Sequence, residues 1–109
     1  MQARRRIGAV AVLVLLAPAL AEEVDVRQRG RLSLDEFNCA RMESSFIRRV
    51  CYDEGNRYLL IQLGSTWRQY CNVPEETASA LIEAESAARF FNAHVRGKFV
   101  CGEGSGRRD

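Results

Sequence analysis

The chain has 109 residues, with 16 basic and 14 acidic side chains and a net charge of +2. That length holds one small domain, and the charge is far from the basic excess with which proteins displace counterions from a nucleic acid. No C-x-x-C pair occurs among the four cysteines and His94 is the only histidine, so neither a zinc site nor a dithiol catalyst is expected, and no metal or cofactor.

Residues 1–21 have the layout of a secretory signal peptide. Arg4, Arg5 and Arg6 precede an apolar run from Ile7 to Leu16, and Ala17-Pro18-Ala19-Leu20-Ala21 supplies a small-residue exit. A spanning helix needs about 20 apolar residues, so the run is short for a membrane anchor. Cleavage after Ala21 is expected, giving a periplasmic or secreted protein with no stable membrane anchor. Loss of the three arginines leaves 13 basic against 14 acidic residues, a balance of −1.

Residues 22–43 read as an N-terminal extension. Glu22 to Gly30 is polar and charged without a usable period, as in a flexible leader. Ser33 and Glu36 have capping-box spacing, which predicts one short helical turn over Leu34 to Phe37 with those two side chains buried.

Three strand candidates then alternate with turn residues, the pattern of an antiparallel meander. Phe46 to Tyr52 is the first. Asp53-Glu54-Gly55-Asn56 turns the chain, with Gly55 and Asn56 suited to positive φ. Tyr58 to Leu63 is the most apolar and is placed in the middle, with Leu59, Ile61 and Leu63 facing the core by period two. Tyr58, Leu60 and Gln62 face the other way. Gly64-Ser65 leads to a third strand, Thr66 to Cys71.

Pro74 ends the sheet and suits a first helical position, and Glu75 and Glu76 favour the positive end of the helix dipole. Ala78, Leu81 and Ile82 form an apolar stripe. At Glu85-Ser86 the stripe changes phase, and Ser86 is a good cap, which predicts one broken or two short helices. The second buries some of Ala87, Phe90, Phe91 and Val95 and stops at Gly97. Residues 102–109 read as a flexible tail. The expected fold is α+β: a three-stranded antiparallel meander followed by C-terminal helices, stapled by disulfides.

Cys39, Cys51, Cys71 and Cys101, an even number in an exported chain, predict two bridges among three possible connectivities. Cys51 and Cys71 fall on the outer strands of the meander in one row, about 9 to 10 Å apart, beyond the reach of about 7 Å that a disulfide allows. The expected pairs are Cys39–Cys51 and Cys71–Cys101, both structural.

Within residues 44–101 several short pieces occur in order. They are Ser45-Phe46-Ile47 with Tyr52-Asp53, Tyr70 followed by Val73-Pro74, Ala84-Glu85-Ser86, and Phe91-Asn92 with Val95-Arg96. Together, over about Ser44 to Phe99, they resemble the KTSC domain. This module is named for its place at the C-terminus of some lysyl-tRNA synthetases, and it is also found alone in small bacterial proteins. The family's central Tyr-x-Tyr is similar to Arg68-Gln69-Tyr70 here, with Trp67 one position early. The cysteines resemble those of an exported branch.

The resemblance implies no reaction, and RNA binding is the activity suggested for the family. Trp67 and Tyr70 as stacking rings, with Arg48, Arg49 and Arg68 for phosphates, would suit it, whereas the charge of −1 and an address outside the cytoplasm argue against it. His94 has no evident catalytic partner, and Glu75-Glu76 and Glu83-Glu85 read as solvated helix faces. The expected function is that of a non-catalytic module binding a protein or envelope ligand. Arg48, Trp67, Arg68 and Tyr70 are the candidate surface, with the first strand open to a partner strand if it lies at an edge.

Overall fold

The structure, a computed structural model, describes residues 21–102. Of the expected signal peptide over residues 1–21, residues 1–20 lie outside the described residues, as do residues 103–109 of the expected tail. In chain order come β1 (Glu23–Val26), β2 (Gly30–Ser33), β3 (Asn38–Arg41), β4 (Ile47–Asp53), β5 (Tyr58–Leu63) and β6 (Thr66–Tyr70), then α1 (Glu75–Glu83) and α2 (Ala87–His94).

The class is α+β, but the sheet is larger than a three-stranded meander. Six strands lie in the order β2-β1-β6-β5-β4-β3, with β4, β5 and β6 as the expected meander at its centre. β1 joins β6 in parallel through Val26 and Trp67, and every other neighbouring pair is antiparallel. The supposed leader is therefore a hairpin. Val24 and Val26 alternate inward between Glu23 and Asp25, a period-two pattern too short to stand out from a charged stretch. Its turn is made by Gln28 at φ 68° and Gly30 at φ 97°.

Over Leu34 to Phe37 the chain makes the single turn expected there. The Phe37 N–H donates to the Leu34 carbonyl at 3.0 Å, and the Ser33 hydroxyl accepts from the Asp35 N–H at 3.1 Å. Leu34 is buried and Phe37 half-buried. In the β4–β5 turn the left-handed residue is Arg57, at φ 53°, and neither Gly55 nor Asn56. Asp53 accepts from the Asn56 backbone at 3.3 Å and from its side chain at 2.8 Å. That clamp holds Asn56 in place and moves the reversal one residue on.

A bulge interrupts β4, where Ile47 faces Leu63 but Arg49 faces Gln62. The extra residue, Arg48, is exposed, and the phase shift puts both Ile47 and Val50 on the helix side. Both faces of β5 are buried. Leu59 and Ile61 meet Ala78 and Leu81 of α1 and Phe91 of α2. Tyr58 and Leu60 meet Val24, Val26, Leu34 and Trp67 on the opposite side.

Pro74 caps α1 from just outside, at φ −64° and ψ 151°, so the helix starts at Glu75. The break comes where it is expected: the Ser86 hydroxyl accepts from the Arg89 N–H at 3.2 Å and starts α2. Past α2, Gly97 takes φ 74° and turns the chain back toward β6.

Cys39 is bonded to Cys51 and Cys71 to Cys101. Cys39 and Cys51 are direct register partners of β3 and β4. Cys51 shares its row with Leu60 and Gln69, so Cys71 lies two residues beyond that row rather than in it.

Candidate functional site: an arginine-rimmed groove beside β6

Alternation along β6 divides the residues of the expected binding surface. Arg68 and Tyr70, two apart, share the helix-side face, while Trp67 points to the opposite face. There Trp67 is buried in the second cluster. The Arg49 guanidinium sits 4.9 Å from its ring centre, held by Glu22 at 3.1 and 2.7 Å and by Gln62 at 3.3 Å. Arg48 projects from the bulge and does not line the groove. The four residues thus make no common surface, and Trp67 and Tyr70 make no common stacking platform.

β4 is not an edge either, because β3 covers its outer side. Strand addition at Arg48 and Val50, which requires free backbone groups there, is excluded by that pairing. β2 and β3 are the edges.

Arg68 and Tyr70 instead open into a groove of about 950 Å³. Its floor is aromatic. Phe91 meets Tyr70 edge-on at 5.9 Å and Phe46 at 6.1 Å. One wall is the returning chain after Gly97, fixed to β6 by the Cys71 N–H, which donates to the Phe99 carbonyl at 2.9 Å, and by the Cys71–Cys101 bond. The β1–β2 turn contributes Arg27, tied at its backbone to the Trp67 carbonyl at 2.9 Å. Arg96, just past α2, is the third cation, and among the described residues no acidic side chain lines the space.

Tyr70 is only 8% exposed, and among the described residues its hydroxyl has no hydrogen-bond partner. Burial pushes its ionisation above the usual tyrosine value, while Arg68 and Arg96 partly oppose the shift. At neutral pH it is a neutral O–H, able to donate into the groove. Tyr52 shows the contrast: its hydroxyl donates to the Val73 carbonyl at 2.6 Å inside the core.

Phe91 and Arg96 belong to pieces picked out in the sequence, yet nothing local marks them as site residues. Arg27 and Phe46 carry no such signal, since they reach the groove only through strand pairing and the phase of the bulge. Among the described residues no group of His, Cys, Asp and Glu could hold a metal. No helix among them is long and apolar enough to cross a membrane.

The KTSC domain profile matches residues 43–99, more than half of the chain. The chain belongs to the KTSC domain family. The crystal structure of the KTSC domain protein YPO2434 from Yersinia pestis is similar to it, with a TM-score of 0.57 and 35% identity. The similarity covers 62% of this chain and 96% of that one. No curated protein matches. The KTSC span holds β4, β5, β6 and both helices, and hence the groove floor and Arg68 and Arg96. Arg27 and Cys101 come from outside it.

Proposed function

We propose that this KTSC protein is a small non-catalytic binding module of the cell envelope, exported with loss of residues 1–21. It takes a protein or ligand in the groove beside β6. The observation that carries the reading is the groove itself: a buried hydroxyl without a partner among the described residues, over an aromatic floor, under three arginines. Convergent polar groups on an apolar concavity are the usual form of a binding site.

Two features support the address. All four cysteines are bonded in pairs, a state that persists in oxidising compartments. Glu22, the residue after the expected cleavage point, already belongs to the fold through Arg49 and through its carbonyl, which accepts from the Leu34 N–H at 2.8 Å. The non-catalytic reading rests on His94, which packs on Phe90 with ring centres 4.5 Å apart and does not line the groove. Nucleic acid has less support as a ligand, because Trp67 and Tyr70 stand on opposite faces of β6.

The test joins address to site. The intact mass of the protein from an envelope fraction should correspond to a chain starting at Glu22 and should rise by four hydrogens on reduction. A photo-crosslinking side chain at Gln28, inside the groove, should then give an adduct in living cells that the same group at Arg48 does not. A full-length, reduced chain in the cytoplasm, or equal labelling from both positions, would overturn the proposal.

A further inference from the structure

We infer that the groove receives an acidic peptide segment that carries an apolar side chain, a reading that rests on the binding-module proposal and narrows it. The first ground is charge. Arg31 and Arg49 are paired with Glu23 and Glu22. Arg27, Arg68 and Arg96 have no carboxylate partner among the described residues, although the chain after Ala21 carries one more acid than base. Among the described residues, the Arg96 side chain donates to the neutral Asn92 side chain at 3.0 Å. Among the described residues, three guanidinium groups without a carboxylate partner therefore line one concavity that holds no acid, and an anion is the complementary occupant.

The second ground is apolar surface. Phe46, 42% exposed, and Val100, 77% exposed, are the large hydrophobic residues left open to solvent among the described residues. Both line this groove. Scattered apolar side chains need no explanation, but two that flank one cation-rimmed hollow offer a seat for an apolar anchor.

The third ground is the spread of the charges. The arginines stand on the β1–β2 turn, on β6 and beyond α2, around a space of about 950 Å³. That volume is at the upper end for small-molecule pockets, about 300–1,000 Å³. Cations on three separate segments suit several carboxylates along a chain better than a single anion, the mode in which arginine clusters read acidic motifs. Tyr70 adds a donor at the floor for one carboxylate oxygen, beside Arg68 and Arg96.

Fluorescence anisotropy of the oxidised protein provides the test, with three rhodamine-labelled peptides: Asp-Glu-Phe-Asp-Glu, Asp-Glu-Ala-Asp-Glu and Lys-Lys-Phe-Lys-Lys. The first should bind, the second more weakly and the third not at all. Salt should weaken binding, since the rim is exposed. Arg68→Glu, at an exposed position, should reduce affinity at least tenfold. Tyr70→Phe, which keeps the ring on Phe91, should reduce it about tenfold, as loss of one hydrogen bond to a charged group does. Equal binding of the three peptides, or indifference to Arg68→Glu, would overturn the inference, as would tighter binding of a single-stranded RNA 12-mer. If no peptide binds while the Gln28 adduct forms in cells, the acidic-peptide inference fails and the broader proposal survives. If neither signal is seen, both fail.

Discussion

The two faces of the central meander are closed by different means. On one, Ala78 and Leu81 of α1, Ala87 and Phe91 of α2 and the Val95 that caps it lie over Ile47, Val50, Tyr52, Leu59 and Ile61, all within the KTSC span. On the other, among the described residues, no helix is used. The β1–β2 hairpin, the Leu34–Phe37 turn and two disulfides cover Tyr58, Leu60 and Trp67, and each bridge has one cysteine outside residues 43–99. The difference shows how a small module completes a core. Helices bring several apolar residues per turn, whereas β1, β2 and β3 have four residues each and bury too little to hold themselves, so covalent bonds secure their neighbours.

The comparison breaks most severely on the helix face. Leu81→Ala, at a fully buried position, should cost about 2–5 kcal/mol, read from the urea midpoint. The second face should instead fail on reduction, each lost bridge costing about 2–4 kcal/mol. Hydrogen exchange in reductant should speed at β3 amides while those of α1 and α2 keep their protection. Uniform loosening of both faces would show that they form one cooperative unit.

Smaller changes sharpen the contrast. Tyr52→Phe leaves the packing but removes the donor to the Val73 carbonyl, and about 1–3 kcal/mol should be lost with no change in fold. On the other face Glu22→Gln tests the Arg49 clamp over Trp67. Hydrogen bonds from Arg49 hold the Glu22 carboxyl below its ordinary value of 4.5. The charged form is therefore favoured by folding, and its contribution is complete above the unfolded value and lost as pH falls through the lower folded value. Glu22→Gln should unfold at slightly lower urea than the parent at pH 7, and the difference should shrink as the pH is lowered through the acid range. A difference that does not change as the pH falls would show that the charge is not what matters.

The expected surface of Arg48, Trp67, Arg68 and Tyr70 shows where local reading stops. Arg68 and Tyr70 were recoverable as neighbours because side chains two apart on a strand share a face. Aromatic character alone groups Trp67 with them, although the same alternation sends it to the other side. Phe46 reads in the sequence as the start of a strand, and only the bulge at Arg48 and the packing of α2 make it a groove residue.

The sequence alone determined what depends on near neighbours. The bounds of β5, the inward set Leu59 and Ile61, the cap at Ser86 and the division of the helices all follow from alternation, turn residues and capping within a few positions. Tertiary structure decided what depends on distant pairing. β1 and β2 are polar segments with two inward valines and one leucine between them, and they become strands only because β6 and the open face of β5 offer partners. The groove likewise joins Arg27, Arg68 and Arg96 from three segments. No local pattern encodes such a meeting, because its energy comes from surfaces buried against each other only after the chain has folded back on itself.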